Sequence, residues 1–210
     1  MVSRRQWLQG AGALVLVRDA LAAGSVEQGI YRVRGDARVG GVLARQGMLV
    51  RPGDTVSTAA RGEVVFVLNR DAFLLRENSR LEVGGGAANV FRIVTGALLS
   101  VYQPGERKTL RAQTATIGIR GTGVYVESAT DRTYACTCYG EAELIPEADP
   151  SARETVRTVY HDQPRYIMAK GAPQMIMQAP VINHTDAELI LLESLVGRRV
   201  PFDPTQYKGY

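Results

Sequence analysis

The stretch Asn89-Val90-Phe91-Arg92-Ile93-Val94-Thr95-Gly96-Ala97-Leu98-Leu99-Ser100-Val101-Tyr102, closed by Gln103-Pro104-Gly105-Glu106, decides how this chain is read. It holds two short runs of β-branched, aromatic and aliphatic residues, interrupted once at Thr95-Gly96 and ended by a Pro-Gly pair. Runs of this length and composition, bounded by Gly and Pro, predict strands. Asn89 to Val94 and Ala97 to Tyr102 therefore read as a hairpin turning at Thr95-Gly96.

The same grammar extends in both directions. Upstream, Arg51-Pro52-Gly53-Asp54 is a turn, because Pro presets φ and Gly accepts positive φ. Glu63 to Leu68, Asn69-Arg70-Asp71 and Ala72 to Leu75 form a second predicted hairpin. Downstream, Lys108 to Ile119, Gly123 to Glu127 and Arg132 to Cys138 read as strands, with a tight turn at Tyr139-Gly140 leading into Glu141 to Ile145. About ten strands at 8–12-residue spacing predict a mainly β fold, an antiparallel β-sandwich or roll, over residues 25–146. Residues 147–210 form an extension of different composition. Glu147 to Glu154 is a polar loop, and Thr155 to Tyr160 with Arg165 to Ala169 reads as one more pair of strands. The extension contains one helix, about 186–197. Thr185 and Glu188 make a capping box, Leu189, Leu192, Leu195 and Val196 share a face, and Gly197 caps the end.

Hydrophobic residues make up 45% and charged residues 22% of the 210, which describes an ordinary globular chain. Residues 1–22 read as an export signal. Arg4 and Arg5 start it, the apolar run Gly10 to Val17 is too short to span a bilayer, and Ala20 and Ala22 form a peptidase site. Ser3-Arg4-Arg5-Gln6-Trp7-Leu8 is similar to a twin-arginine signal, which carries folded proteins. Cleavage after Ala22 leaves 22 basic against 20 acidic residues, a charge of +2 in place of the +4 of the whole chain. So small a surplus argues against a nucleic-acid surface. No later stretch is long and apolar enough for a membrane span. The expected location is the periplasm.

The block Thr116-Ile117-Gly118-Ile119-Arg120-Gly121-Thr122-Gly123-Val124-Tyr125-Val126 closely resembles the signature of FecR-type domains, named for the iron-dicitrate transport regulator. Val50-Arg51-Pro52-Gly53-Asp54-Thr55-Val56-Ser57-Thr58, Glu63 to Val67, Arg76 to Leu81 and Thr95 to Leu99 follow the same order. The resemblance covers about residues 40–145 and implies a stand-alone exported FecR-like domain. Such a protein would act in envelope sensing, ligand binding or scaffolding, with an envelope protein or cell-wall ligand as partner. An anti-sigma role is disfavoured, because nothing cytoplasmic precedes the signal and no spanning helix follows it. Within the motif, Gly121 and Gly123 permit a bend. Arg120 could neutralise a carboxylate across it, or Arg120, Gly121 and Thr122 serve the fold alone.

The chain holds two cysteines and two histidines: Cys136, Cys138, His161 and His184. On a strand, residues i and i+2 point the same way with Cα atoms roughly 6.6 Å apart. A disulfide prefers about 5.5–6 Å, so bonding within this pair is strained. Two thiolates and two imidazoles suit a tetrahedral Zn²⁺ and would staple the extension onto the β body. Iron is a second choice, and Met175 with Met177 hints at Cu(I). The alternatives are two core cysteines with surface histidines, or a disulfide. No G-x-S-x-G or H-E-x-x-H occurs, Glu141 and Glu143 read as a solvated strand face, and no enzymatic activity is expected.

Overall fold

Val64-Val65-Phe66-Val67-Leu68 is apolar at every position, the pattern of a strand buried on both faces, and all five residues are buried. That observation organises the molecule. The computed structural model describes residues 28–86 and 89–203. The expected export signal, with Arg4 and Arg5, lies outside the described residues.

Among the described residues the chain forms fourteen strands and one α-helix. The first seven strands are β1 (Gly29–Arg34), β2 (Ala37–Val39), β3 (Val42–Leu43), β4 (Thr55–Thr58), β5 (Glu63–Leu68), β6 (Asp71–Leu75) and β7 (Arg80–Val83). Three long ones follow around a short one: β8 (Val90–Val101), β9 (Arg107–Arg111), β10 (Ala115–Ser128) and β11 (Arg132–Pro146). The extension adds β12 (Glu154–Thr158), β13 (Arg165–Met168), β14 (Ile176–Gln178) and the helix α1 (Asp186–Leu195). The pairing is antiparallel except between β8 and β9, which run parallel, and the sheet is open. The mainly β class with one C-terminal helix is as the sequence predicts, with more strands than the ten expected.

Two predicted turns are absent: Thr95-Gly96 and Tyr139-Gly140 lie inside continuous strands of 12 and 15 residues, and the bend expected at Gly121 lies inside one of 14. The glycines are real signals, but of bends. Gly96, Gly121 and Gly140 have φ of 84°, 53° and 91°, a region open to glycine at little cost. A Cβ on Gly121 would lie 2.7 Å from Pro104 Cα, and one on Gly140 2.4 Å from Thr122 Cγ2. At each bend the strand changes partners. The first half of β8 pairs with β7 and β9, and its second half pairs with β6 and β10. The first half of β10 pairs with β9, and its second half pairs with β8. Likewise β12 and β13 do not pair with each other; they add to the two halves of β11. The three long strands thus belong to both layers of the sandwich.

Alternation along these strands creates two cores. Val64, Phe66, Phe73, Leu98, Val124, Val126 and Ala135 face one interior. Val65, Val67, Leu74, Leu99, Tyr125, Tyr134, Cys136 and Cys138 face the other, where Leu189, Leu191, Leu192 and Leu195 of α1 cover them. The helix is therefore the third layer. Thr185 accepts from the Glu188 backbone N–H, the Glu188 side chain accepts from the Thr185 N–H, and Gly197 at φ 71° closes the far end. The cap is tied to the sheet, since Arg76 donates to Glu188 at 2.8 Å. Thr185→Ala is expected to lower unfolding free energy by about 1 kcal/mol in a urea titration.

Candidate metal centre

Cys136 and Cys138 stand on the same face of β11, the face that α1 covers. No turn is needed to bring them together. His161 follows β12 in a loop and His184 directly precedes the capped helix, so the two histidines come from separate points of the extension, before β13 and after β14. The fold brings all four to one point. One ligand atom from each lies within 4.8 Å of the other three, and all four residues are buried. His161 Nδ1 lies 3.6 Å from Cys136 Sγ and 3.0 Å from His184 Nε2. A tetrahedral Zn²⁺ with bonds of about 2.0–2.3 Å has ligand–ligand edges of about 3.3–3.8 Å; the sulfur–nitrogen separation falls in that range and the nitrogen–nitrogen one lies just below it. The cysteines are not disulfide-bonded.

Proton accounting sharpens the reading. His184 Nδ1 is 2.6 Å from the Ile182 carbonyl, which can only accept, so Nδ1 carries the hydrogen and Nε2 a lone pair. His161 Nε2 is 3.1 Å from Asp186 Oδ1, so Nε2 donates and Nδ1 carries a lone pair. Two imidazole lone pairs thus face each other at 3.0 Å, with two sulfurs beside them. A cation at the centre satisfies all four donors. Each histidine also has the outer partner that metal-binding imidazoles use, a carboxylate for one and a backbone carbonyl for the other.

The surroundings fix both rings. The Tyr160 hydroxyl donates to Asp186 Oδ2 at 2.7 Å. The Tyr125 ring stacks on His184 with centroids 4.7 Å apart, and Phe202 packs near His161 and Tyr160. The His161 backbone N–H donates to the Cys138 carbonyl, with His161 at φ 46°. A non-glycine residue in that region costs about 1 kcal/mol or more and persists only where its surroundings hold it.

The electrostatics separate the thiols. The Cys138 thiol beside it holds Cys136 well below the usual thiol range, and the neighbouring His161 and His184 rings add to this against the cost of burial. Burial pushes Cys138 well above it. Burial opposes charge on His161, yet the Cys136 sulfur and the Asp186 carboxylate hold its pKa above the ordinary histidine value. A Cys136 thiol that ionises more readily beside a His161 ring that protonates more readily is a pairing whose proton a divalent cation would displace.

Met175 and Met177 stay apart from this chemistry: Met175 packs against the other core and Met177 is exposed. In the signature block, Arg120 is exposed, Gly121 makes the bend, and Thr122 is buried with its hydroxyl unpartnered among the described residues. No neutralising contact from Arg120 across the bend is present among the described residues. Sequence reasoning missed Asp186, Tyr160 and Tyr125. Only Asp186 carries a trace in the text, as an acid two residues after a histidine at a helix start.

No family model matches this sequence, and no curated protein matches it. A crystal structure of a "putative anti-sigma factor" from Parabacteroides distasonis shares the fold, with a TM-score of 0.50 and 9% identity, and a second crystal structure of that protein gives 0.49 at the same identity. The match covers 60% of this chain and 58% of that one. At this identity the likeness concerns the fold alone.

Proposed function

We propose that this chain is an exported, non-enzymatic FecR-like envelope protein whose extension is clasped to its β body by a structural zinc ion on Cys136, Cys138, His161 and His184. The observation that carries the reading is the convergence of the chain's only two cysteines and only two histidines at one buried point. Four protein ligands with no solvent access make a closed site, the form of structural rather than catalytic zinc. The clasp joins β11 of the body to the extension at two points, after β12 and before α1, and supports a scaffolding or sensing surface more than a reaction. The FecR-like and periplasmic parts rest on the signature block at Thr116 to Val126 and on the twin-arginine start. Export in the folded state fits an ion that is loaded before transport.

The test is elemental analysis of protein recovered from the envelope fraction. About one zinc per chain is expected. Metal-free protein whose two thiols titrate freely overturns the clasp, and a strictly cytoplasmic chain overturns the location. Stoichiometric iron or copper would keep the clasp and reassign the ion. Asp186 is a positioning residue in this scheme. Asp186→Asn is expected to keep the fold and weaken zinc binding about 10–100-fold in competition with a chelating dye. The name of the fold neighbour raises a second reading, regulation of a sigma factor. Co-purification of a sigma factor with the intact chain would favour it over the scaffold.

A further inference from the structure

The outward faces of β9, β10, β11 and β12 line up in rows across the sheet. Register places Arg107 opposite Arg120, Arg120 opposite Glu141, and Glu141 opposite Arg157. The next row is Thr109, Gly118, Glu143 and Thr155. Arg157 donates to Glu141 at 2.7 Å, and Arg153 lies 3.6 Å from Glu143, so both acids are engaged by other arginines. Arg107 and Arg120 are exposed, and neither has a side-chain hydrogen bond or ion pair among the described residues. Like charges directly opposite each other on neighbouring strands oppose folding. Beside this pair Gly118 adds no side chain to the sheet face, and Glu143 leans toward it, its Oε2 3.8 Å from where a Cβ would stand. A surface pocket here is lined by Arg107 and Thr109 of β9, Arg120 of β10, Glu141 and Glu143 of β11 and Thr155 of β12.

From this juxtaposition we propose that Arg107 and Arg120 bind the phosphate of a phosphomonoester held between their two guanidinium groups, on the β9–β10 side of the pocket. The charges match. The row of three arginines and one glutamate carries two surplus positive charges, and a phosphomonoester carries close to two negative ones at neutral pH. The shape matches as well. One carboxylate occupies one guanidinium fork, whereas a tetrahedral phosphate has oxygens for two forks and a hydroxyl donor. Thr109, on the same face of β9 as Arg107, places a hydroxyl next to the pair for a third oxygen. The site uses no residue of the metal centre and is independent of it.

The test is calorimetric titration of the intact chain with glycerol 3-phosphate, with dimethyl phosphate and phosphatidylglycerol vesicles as comparisons. Saturable one-to-one binding of the monoester is expected, weakened about tenfold or more in Arg107→Gln and Arg120→Gln and by added salt. Both side chains are exposed, so circular dichroism and melting of these variants should match the parent. Arg51→Gln removes an exposed arginine elsewhere and is expected to leave binding unchanged. No saturation by about 10 mM monoester, equal loss in Arg51→Gln, equal binding of the diester, or binding confined to vesicles each overturns the proposal.

Discussion

Cys136→Ser is expected to reduce zinc from about one ion per chain to less than about a tenth, and to lower the melting midpoint by on the order of 10–20 °C. Structural zinc sites contribute roughly 10–16 kcal/mol of apparent binding energy in small domains. A body of this size has other sources of stability, so only part of that is lost globally. For a chain of 150–250 residues each kcal/mol moves the midpoint by about 2–4 °C, and a loss near 5 kcal/mol gives the stated drop. The α1 leucines still cover Val65, Leu74 and Tyr139, so the helix remains docked while the loop around His161 is released. Cys136→Ala together with chelation of the parent chain separates the two accounts. If Cys136 is only a small core residue, the alanine variant costs about 1 kcal/mol and a chelator changes nothing. If it is a ligand, chelation of the parent reproduces the loss seen in both variants.

Lys108→Met carries the second large effect. Lys108 faces inward on β9, and its ammonium lies 3.1 Å from Asp71, 2.7 Å from Glu106 and 3.0 Å from Asn89 Oδ1. Asp71 is also buried and accepts the Gln103 backbone N–H at 2.8 Å. Burial raises the Asp71 carboxyl above its usual range even with these partners. Lys108 is held above the ordinary lysine value by Glu106 and Asp71, although burial opposes this. Removing the ammonium leaves a buried carboxylate without its ion partner, a change that costs about 3–5 kcal/mol. The pH dependence follows from the direction of the Asp71 shift. A carboxyl whose pKa is higher folded than unfolded binds more protons in the native state, so stability falls as pH rises through that window. The Lys108→Met deficit is therefore largest at neutral pH and shrinks as pH is lowered toward the unfolded value of 3.8. Asp71→Asn added to Lys108→Met should recover most of the loss, measured by urea unfolding at two pH values. A single variant within about 1 kcal/mol of the parent at pH 7 would mean that the pair contributes little.

The strands were legible wherever a run was short and clearly punctuated, as at Glu63–Leu68 and Asp71–Leu75. The helix was legible to its caps, because Thr185, Glu188 and Gly197 act through local hydrogen bonds that sequence spacing encodes. The long strands were misread at Gly96 and Gly140, where turns were expected, while Gly121 makes the bend expected of it. A glycine with positive φ looks the same in sequence whether the chain reverses or only bends. The choice is made by what packs beside it, here Pro104 against Gly121 and Thr122 against Gly140.

Local chemistry settled the elements, their alternation, the capped helix and the identity of the four candidate ligands, since each depends on residues a few positions apart. Their meeting did not depend on such residues. Cys136 and His184 are 48 positions apart in the chain, and only the bending of β11 between two layers and the packing of α1 over one of them place sulfur beside imidazole. The partners that orient those imidazoles, Asp186, Tyr160 and Tyr125, were likewise chosen by burial, a property of the assembled layers and not of any single stretch of chain.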